Sequence, residues 1–363
     1  MSYELDLLDR KILFELDCNS RRSLSEISRK VGLGRDLVSY RIEKLQDLGV
    51  VKRFHAIINP YKLGLTVFKT YLKLHSQKGK WREFVSLLDE HPSTAWLAEC
   101  YGKWDVVWCL YAHSPKEVYD IHDALLSQHR DIILASNVCT TVNHWWFPKK
   151  YLRSTSSETP SEWKFELPEF TTGTTPALEE LDHIERGILR VLSSNARTNI
   201  KEMAEELSTT PAVIKYRTER LEQRGIITGY RLDIDRALLG MTLFKVQIQQ
   251  GNYDSEIERE FHEYCKFHPQ IAEYIQQLGD CRIECVIEAV DYSQFNSIVD
   301  ELRDRFGGFI RNLEYMMIRK DYFHRTPPVL YEVPVDQLSG KRSKTNGNFE
   351  SAALYSQEVV PFQ

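Results

Sequence analysis

Two stretches, LDLLDRKILFELDCNSRR from Leu5 to Arg22 and LDHIERGILRVLSSNART from Leu181 to Thr198, align without a gap at an offset of 176 residues. The register persists downstream. Tyr40-Arg41-x-Glu43-x-Leu45 meets Tyr216-Arg217-x-Glu219-x-Leu221, and Gly49-Val50-Val51 meets Gly225-Ile226-Ile227. Leu63-Gly64-x-Thr66-x-Phe68-Lys69 meets Leu239-Gly240-x-Thr242-x-Phe244-Lys245. After a one-residue shift, His91-Pro92 pairs with His268-Pro269 and Gly102 with Gly279. Self-similarity at one long period is the signature of a duplicated unit. A chain of 363 residues is also too long for one ordinary core.

Within the first copy, Leu5, Leu8, Ile12 and Leu16 recur at helical spacing, and Leu24, Ile27 and Val31 mark a second, shorter helix. Gly32 breaks it. A third helix carries Val38, Ile42 and Leu45 on its apolar stripe, and the break of about three residues before it is what a helix-turn-helix needs. Gly34 stands at the cap of that helix, while in the second copy Thr210 is a good N-cap and Pro211 suits the first helical position.

If the third helix enters a major groove of double-stranded DNA, the base readers are Arg35, Asp36, Ser39 and Tyr40, with Ala212, Lys215 and Tyr216 in the second copy. Arg41, Lys44, Arg217 and Arg220 lie further along and suit phosphate contacts. Local charge agrees. Residues 5–53 hold 11 basic and 8 acidic side chains, and residues 181–231 hold 9 and 7, against -5 for the whole chain. The competing readings are a three-helix bundle with a solvated charged face, or one that binds protein.

Composition sets the class. With 42% hydrophobic and 27% charged residues the chain is globular. Its seven cysteines are scattered without a C-x-x-C pair, which argues against a disulfide framework and a zinc ribbon. No run of about 18 apolar residues and no basic-then-apolar leader occurs, so a cytoplasmic, chromosome-associated protein with no membrane role is expected. No metal spacing, phosphate loop or nucleophile elbow appears, and no cofactor is expected.

The motif Leu5-Asp6-x-x-Asp9-x-x-Ile12-Leu13, the helix ending in Arg41-Ile42-x-x-Leu45, and Leu48-Gly49-Val50-Val51 resemble the Lrp/AsnC regulators over nearly the whole of both halves. That family ordinarily carries one such unit per chain, so a tandem fusion is a departure. The pattern after each helix-turn-helix agrees with the effector domain that the resemblance implies. In the first copy it reads strand 67–75, helix 81–90, strand 95–101, strand 106–112, helix 115–129 and strand 133–145. This βαββαβ order gives a ferredoxin-like sandwich. The expected fold is therefore α+β, two repeats of a winged-helix-like helix-turn-helix followed by a ferredoxin-like domain. The expected boundaries are 1–56, 57–152, a linker over 153–178, 179–235, 236–326, and an unstructured tail over 327–363.

The resemblance implies a Gly-x-x-Asp turn at a small-ligand site where effector domains pair, commonly taking an amino acid. The first copy has Gly102 and Asp105, and the glycine permits a tight turn while the carboxylate can meet an ammonium group. The second has Gly279 with Arg282 in the acidic position, so two unequal pockets are expected. Pairing is expected within one chain, as a pseudo-dimer, or between chains, as a homo-oligomer.

One enzymatic alternative shares the architecture: fused decarboxylases of the alternative haem pathway, acting on a sirohaem-type substrate. Those resemble one another in a His- and Arg-bearing segment that the stretch from Trp96 to Asp105 lacks. His91 and His268 read as packing or capping residues. His144, Trp145, Trp146 and Phe147 read as a packing edge between effector domains, and Cys281 and Cys285 as buried thiols.

Overall fold

The computed structural model describes residues 4–75, 78–153, 170–173, 179–322, 326–327 and 330. The first copy runs α1 (Leu7–Cys18), α2 (Leu24–Val31), α3 (Arg35–Asp47), β1 (Val51–Ile58), β2 (Thr66–Leu74), α4 (Lys78–Glu90), β3 (Thr94–Gly102), β4 (Val106–Ala112), α5 (Pro115–Gln128) and β5 (Ile133–Trp146). A short strand, β6 (Phe170–Gly173), follows. The second copy runs α6 (His183–Ser194), α7 (Ile200–Glu206), α8 (Pro211–Gln223), β7 (Ile227–Ile234), β8 (Thr242–Gln250), α9 (Ser255–Phe267), β9 (Ile271–Leu278), β10 (Ile283–Ala289), α10 (Tyr292–Phe306) and β11 (Ile310–Asp321).

Local chemistry sets the helix ends. Ser23 and Glu26 form a capping box at α2, and Asp182 and Glu185 form one at α6, each satisfying orphan amides of the first turn. Gly32 closes α2 in the left-handed region at φ 76°, which a side chain would resist, and so sets the turn into α3. Gly34 caps α3 with no side-chain bond, and Thr210 caps α8 ahead of Pro211.

The two helix-turn-helix units are one body. β1 and β7 pair antiparallel, with Phe54 opposite Leu232, so the wings of the two copies form a single two-stranded ribbon. The packing is crosswise, α1 lying on β7 and α6 on β1. Ile12, Leu16, Phe54, Ile188, Leu192 and Leu232 belong to one shared core. Each such side chain contributes about 1.5–3 kcal/mol by leaving water.

The ferredoxin-like domains join through their sheets. Within each copy the order is β3-β4-β2-β5 or β9-β10-β8-β11, and the copies meet along β3–β11 and β5–β9. An eight-stranded sheet therefore closes on itself, leaving no free edge among these strands. The helices α4 and α5 cover one apolar outer face, α9 and α10 the other. The pairing expected of the effector domains takes place within one chain.

Part of the linker pairs with a neighbouring strand: β6 continues the β5 edge, with Thr172 opposite His144. One expectation is corrected. The tail is not free from its start: Leu330 is buried in the shared helix-turn-helix core. The Ser/Thr/Pro run over 154–160, Trp163, Phe165 and the basic tail over 339–348 lie outside the described residues.

Candidate nucleic-acid interface and effector site

The third helix of each unit presents most of the expected readers outward. Arg35, Asp36 and Tyr40 on α3 are exposed, as are Ala212, Lys215 and Tyr216 on α8; Tyr40 and Tyr216 are 60% and 61% exposed. Ser39 is half-buried and donates to Glu43 Oε1 at 3.0 Å. Lys215 lies 4.0 Å from Glu219, a turn away. Lys44 and Arg220, the other expected phosphate contacts, are exposed. Leu37, 44% exposed on α3, was not singled out from sequence, and an apolar side chain there suits a thymine methyl.

Arg41 and Arg217 are both held within the chain. Arg41 Nη1 donates to Asp6 Oδ2 at 2.7 Å and to Asp9 Oδ1 at 2.6 Å, tying α3 back to the start of α1. Arg217 Nη1 pairs with Asp182 Oδ2 at 2.7 Å and Glu185 Oε1 at 3.5 Å, the same brace in copy two. Both guanidinium groups are engaged as internal struts by acidic side chains of their own copy. The repeat Asp6…Arg41 and Asp182…Arg217 carried that signal.

A second basic feature lies between the units. Arg21 Nη1 donates to the Ala196 carbonyl at 2.6 Å, and Arg197 Nη1 donates to the Ser20 carbonyl at 2.7 Å and the Arg22 carbonyl at 3.1 Å. Each arginine also covers a ring of the ribbon, Tyr230 or Phe54. This reciprocal clasp ties the α1–α2 turn of copy one to the α6–α7 turn of copy two.

The effector turns form as read. Gly102 and Gly279 have φ of 130° and 146°, where a side chain is strained. A Cβ on Gly102 would sit 2.8 Å from the Tyr315 carbonyl, and one on Gly279 2.4 Å from Cys139 Sγ. Each turn thus packs on the other copy's last strand, at a separate seam, and the two are not brought together. Asp105 is corrected as an open ammonium acceptor: it takes the Leu74 amide at 2.9 Å and the Lys73 ammonium at 3.0 Å. Arg282 stacks over Tyr253 at 4.9 Å and lies 4.0 Å from Glu258.

Sequence reasoning missed the charged interior of the closed sheet. Lys69 and Lys245, equivalent in the repeat, both donate to Glu284 Oε1 at 2.8 Å, and Tyr71 donates to its Oε2 at 2.7 Å. Burial would raise the Glu284 pKa, but Lys245 and Lys69 outweigh it and hold it at about 2. Asp17 on α1 takes the Lys149 amide at 2.7 Å and Arg231 Nη2 at 3.1 Å, linking a helix-turn-helix to the ribbon. Burial drives His144 down to about 4 despite its 2.8 Å bond to Glu273. Both turn histidines cap: His91 Nδ1 accepts from Ser93 and His268 Nδ1 from Gln270. Phe147 packs into the second domain's core, as a packing edge should. Cys285 faces Cys265 at 3.8 Å, not Cys281, and all seven thiols are buried.

These features define the class: a duplicated winged helix-turn-helix protein with paired effector domains. A winged helix-turn-helix DNA-binding model matches residues 5–52 and 181–228. The HTH-type transcriptional regulator FL11 of Pyrococcus horikoshii is 31% identical over 147 residues, covering 39% of this chain and 97% of the relative. The HTH-type transcriptional regulator Ptr1 of Methanocaldococcus jannaschii is 36% identical over 103 residues, covering 28% and 69%. The solved siroheme decarboxylase NirDL superposes with a TM-score of 0.57 at 12% identity, over 87% of this chain and 92% of that one, a likeness of fold. The chain belongs to the Lrp/AsnC-type transcriptional regulators, as a tandem duplication of their unit, and is a DNA-binding regulator rather than an enzyme.

Proposed function

We propose that this regulator binds one asymmetric double-stranded DNA site on the chromosome with both halves of a single chain, and that a free amino acid modulates it. The observation that carries the first part is the rigid ribbon joining two recognition helices whose exposed faces differ. Arg35-Asp36-x-x-Ser39 on α3 stands where α8 has Pro211-Ala212-x-x-Lys215. Phosphates supply most of the affinity through Lys44, Arg220 and neighbouring cations, and the helix readers discriminate bases. The amino-acid effector is supported by the family's two-domain unit and by an interior rich in paired charges. Among the described residues, no helix is long and apolar enough to cross a membrane.

The test is footprinting and titration of the full chain and two variants on a selected operator. Ser39→Ala and Lys215→Ala should each weaken binding by about 1–3 kcal/mol, each at a different half-site. Unchanged affinity and footprint in both variants would overturn the reader assignment.

A further inference from the structure

The arginine clasp between the two helix-turn-helix units borders an open cleft of about 470 Å³. Arg21, Arg22 and Ser23 line it from copy one, and Arg197, Asn199 and Lys201 from copy two. Strand alternation gives its position. Phe54 and Tyr230 belong to the helix-turn-helix core, while their neighbours His55 and Arg231 line the space between the ribbon and the closed sheet. Arg21 covers the Tyr230 ring and Arg197 the Phe54 ring, so the cleft lies on the helix side of the ribbon, away from the effector domains.

Its charge is unbalanced. Arg22 is taken by Glu15, but the guanidinium hydrogen bonds of Arg21 and Arg197 go to carbonyls, and among the described residues neither they nor Lys201 form an ion pair. Glu26 and Glu202, acids of the first turns of α2 and α7, are exposed and outside the lining. Burial and then the Arg21 charge lower the Arg197 pKa, as crowded cations do when no anion stands between them. Two half-buried guanidinium groups fixed by backbone carbonyls are preorganised in a way that a solvated surface lysine is not. The copies again differ. Lys201, exposed at the start of α7, stands where copy one has Ser25, so the unpaired ammonium comes from copy two alone.

We propose that this cleft holds backbone phosphates of the duplex between the two half-sites, with Lys201 and the two clasp arginines as its cations. The proposal rests on the DNA-binding reading above and extends it from the recognition helices to the segment between them. The first helix of a helix-turn-helix crosses the sugar-phosphate backbone, and the cleft lies between the starts of α2 and α7, the first helices of the two units. A phosphate contact carries no base preference. It therefore fixes the register of two unequal half-sites without reading the bases that separate them.

The experiment measures binding of the full chain and of Lys201→Gln to a selected operator across a salt series. It uses natural duplexes and duplexes whose linkages between the half-sites are uncharged methylphosphonates. Lys201 is exposed, and matching thermal melts check that its replacement leaves the fold intact. The variant should bind about tenfold more weakly at 0.1 M salt with a salt slope lower by about 1, whatever the bases between the half-sites. Neutral linkages should weaken the parent more than the variant, because both changes remove the same contact. Equal slopes and affinities for parent and variant, or equal penalties from the neutral linkages, overturn the cleft assignment and leave the recognition helices as readers. Calorimetric titration with inorganic phosphate alone separates a second source of the same chemistry. Saturable heat that Lys201→Gln abolishes, with the DNA salt slope unchanged, gives the cleft to a free phosphate and overturns the DNA contact. Failure of the full chain to select any duplex removes the DNA reading itself, and this contact with it.

Discussion

Copy one and copy two agree where the unit is braced and differ where it faces something else. The strut from Arg41 to Asp6 and Asp9 reappears as Arg217 to Asp182 and Glu185, and the clasp of Arg21 is answered by Arg197. Inside the closed sheet the match fails. Lys69 and Lys245 are equivalent, yet only copy two supplies their acid: Glu284 stands where copy one has Val107, fully buried. A symmetric dimer of single units would place either no such acid or two against its two lysines. One chain carrying both halves can hold one carboxylate between them.

The largest expected effect breaks that asymmetry. Glu284→Val, which makes copy two resemble copy one, leaves two buried ammonium groups without their partner and should cost about 3–5 kcal/mol in urea unfolding. The pH dependence has a definite sign. Glu284 titrates lower in the folded protein than in the unfolded chain, so its contribution is present above the unfolded value of about 4.5 and is lost as pH falls toward 2. The variant should lack that acid limb.

The shared brace should weigh unequally in the two copies. Arg41→Ala leaves the nearly buried Asp9 without its charge partner and should destabilise the fold by about 2 kcal/mol, whereas Arg217→Ala leaves Glu185 its second partner, Arg224 at 3.2 Å, and should cost less. Judged by the slope of DNA affinity against salt, both should leave the phosphate count unchanged, whereas Lys44→Gln or Arg220→Gln should lower the slope by about 1. A lowered slope for Arg41→Ala would return that residue to the DNA interface.

A separate pH effect, small per pH unit, concerns a lysine that copy one lends to copy two. Lys150 Nζ donates to the carbonyls of Lys266 at 2.8 Å and Ile271 at 2.9 Å, and burial pulls its pKa down to about 7. Between pH 7 and the unfolded value of about 10.5 the unfolded chain binds more protons at this site, so stability rises with pH. Lys150→Met should flatten the pH dependence of the unfolding free energy by about 1 kcal/mol per unit across that window. Parallel curves for parent and variant would contradict it.

Much of this architecture was legible because it is local and repeated. Helix period, the caps at Gly34 and Thr210, and the βαββαβ order all rest on neighbours in sequence. What stayed hidden depends on closure of the sheet. Nothing local says that Glu284 meets Lys69 across 215 positions, or that His144 meets Glu273. Arg41 and Asp105 follow the same rule. Arg41 has the composition and position of a phosphate ligand, and only the approach of α1 to α3 shows it already occupied. Asp105 sits in a well-formed turn, yet the Leu74 amide and Lys73 take its carboxylate. The part of the linker that forms β6 has little apolar periodicity and gains its order from the β5 edge.

The central claim is that one chain reads two unequal half-sites. Selection of bound duplexes from a random pool by the full chain, with sequencing of the survivors, tests it most directly. The expected result is a single asymmetric motif, in which Lys215→Ala relaxes one half and Ser39→Ala the other. A palindromic motif, relaxed on both sides by either variant, would contradict the account.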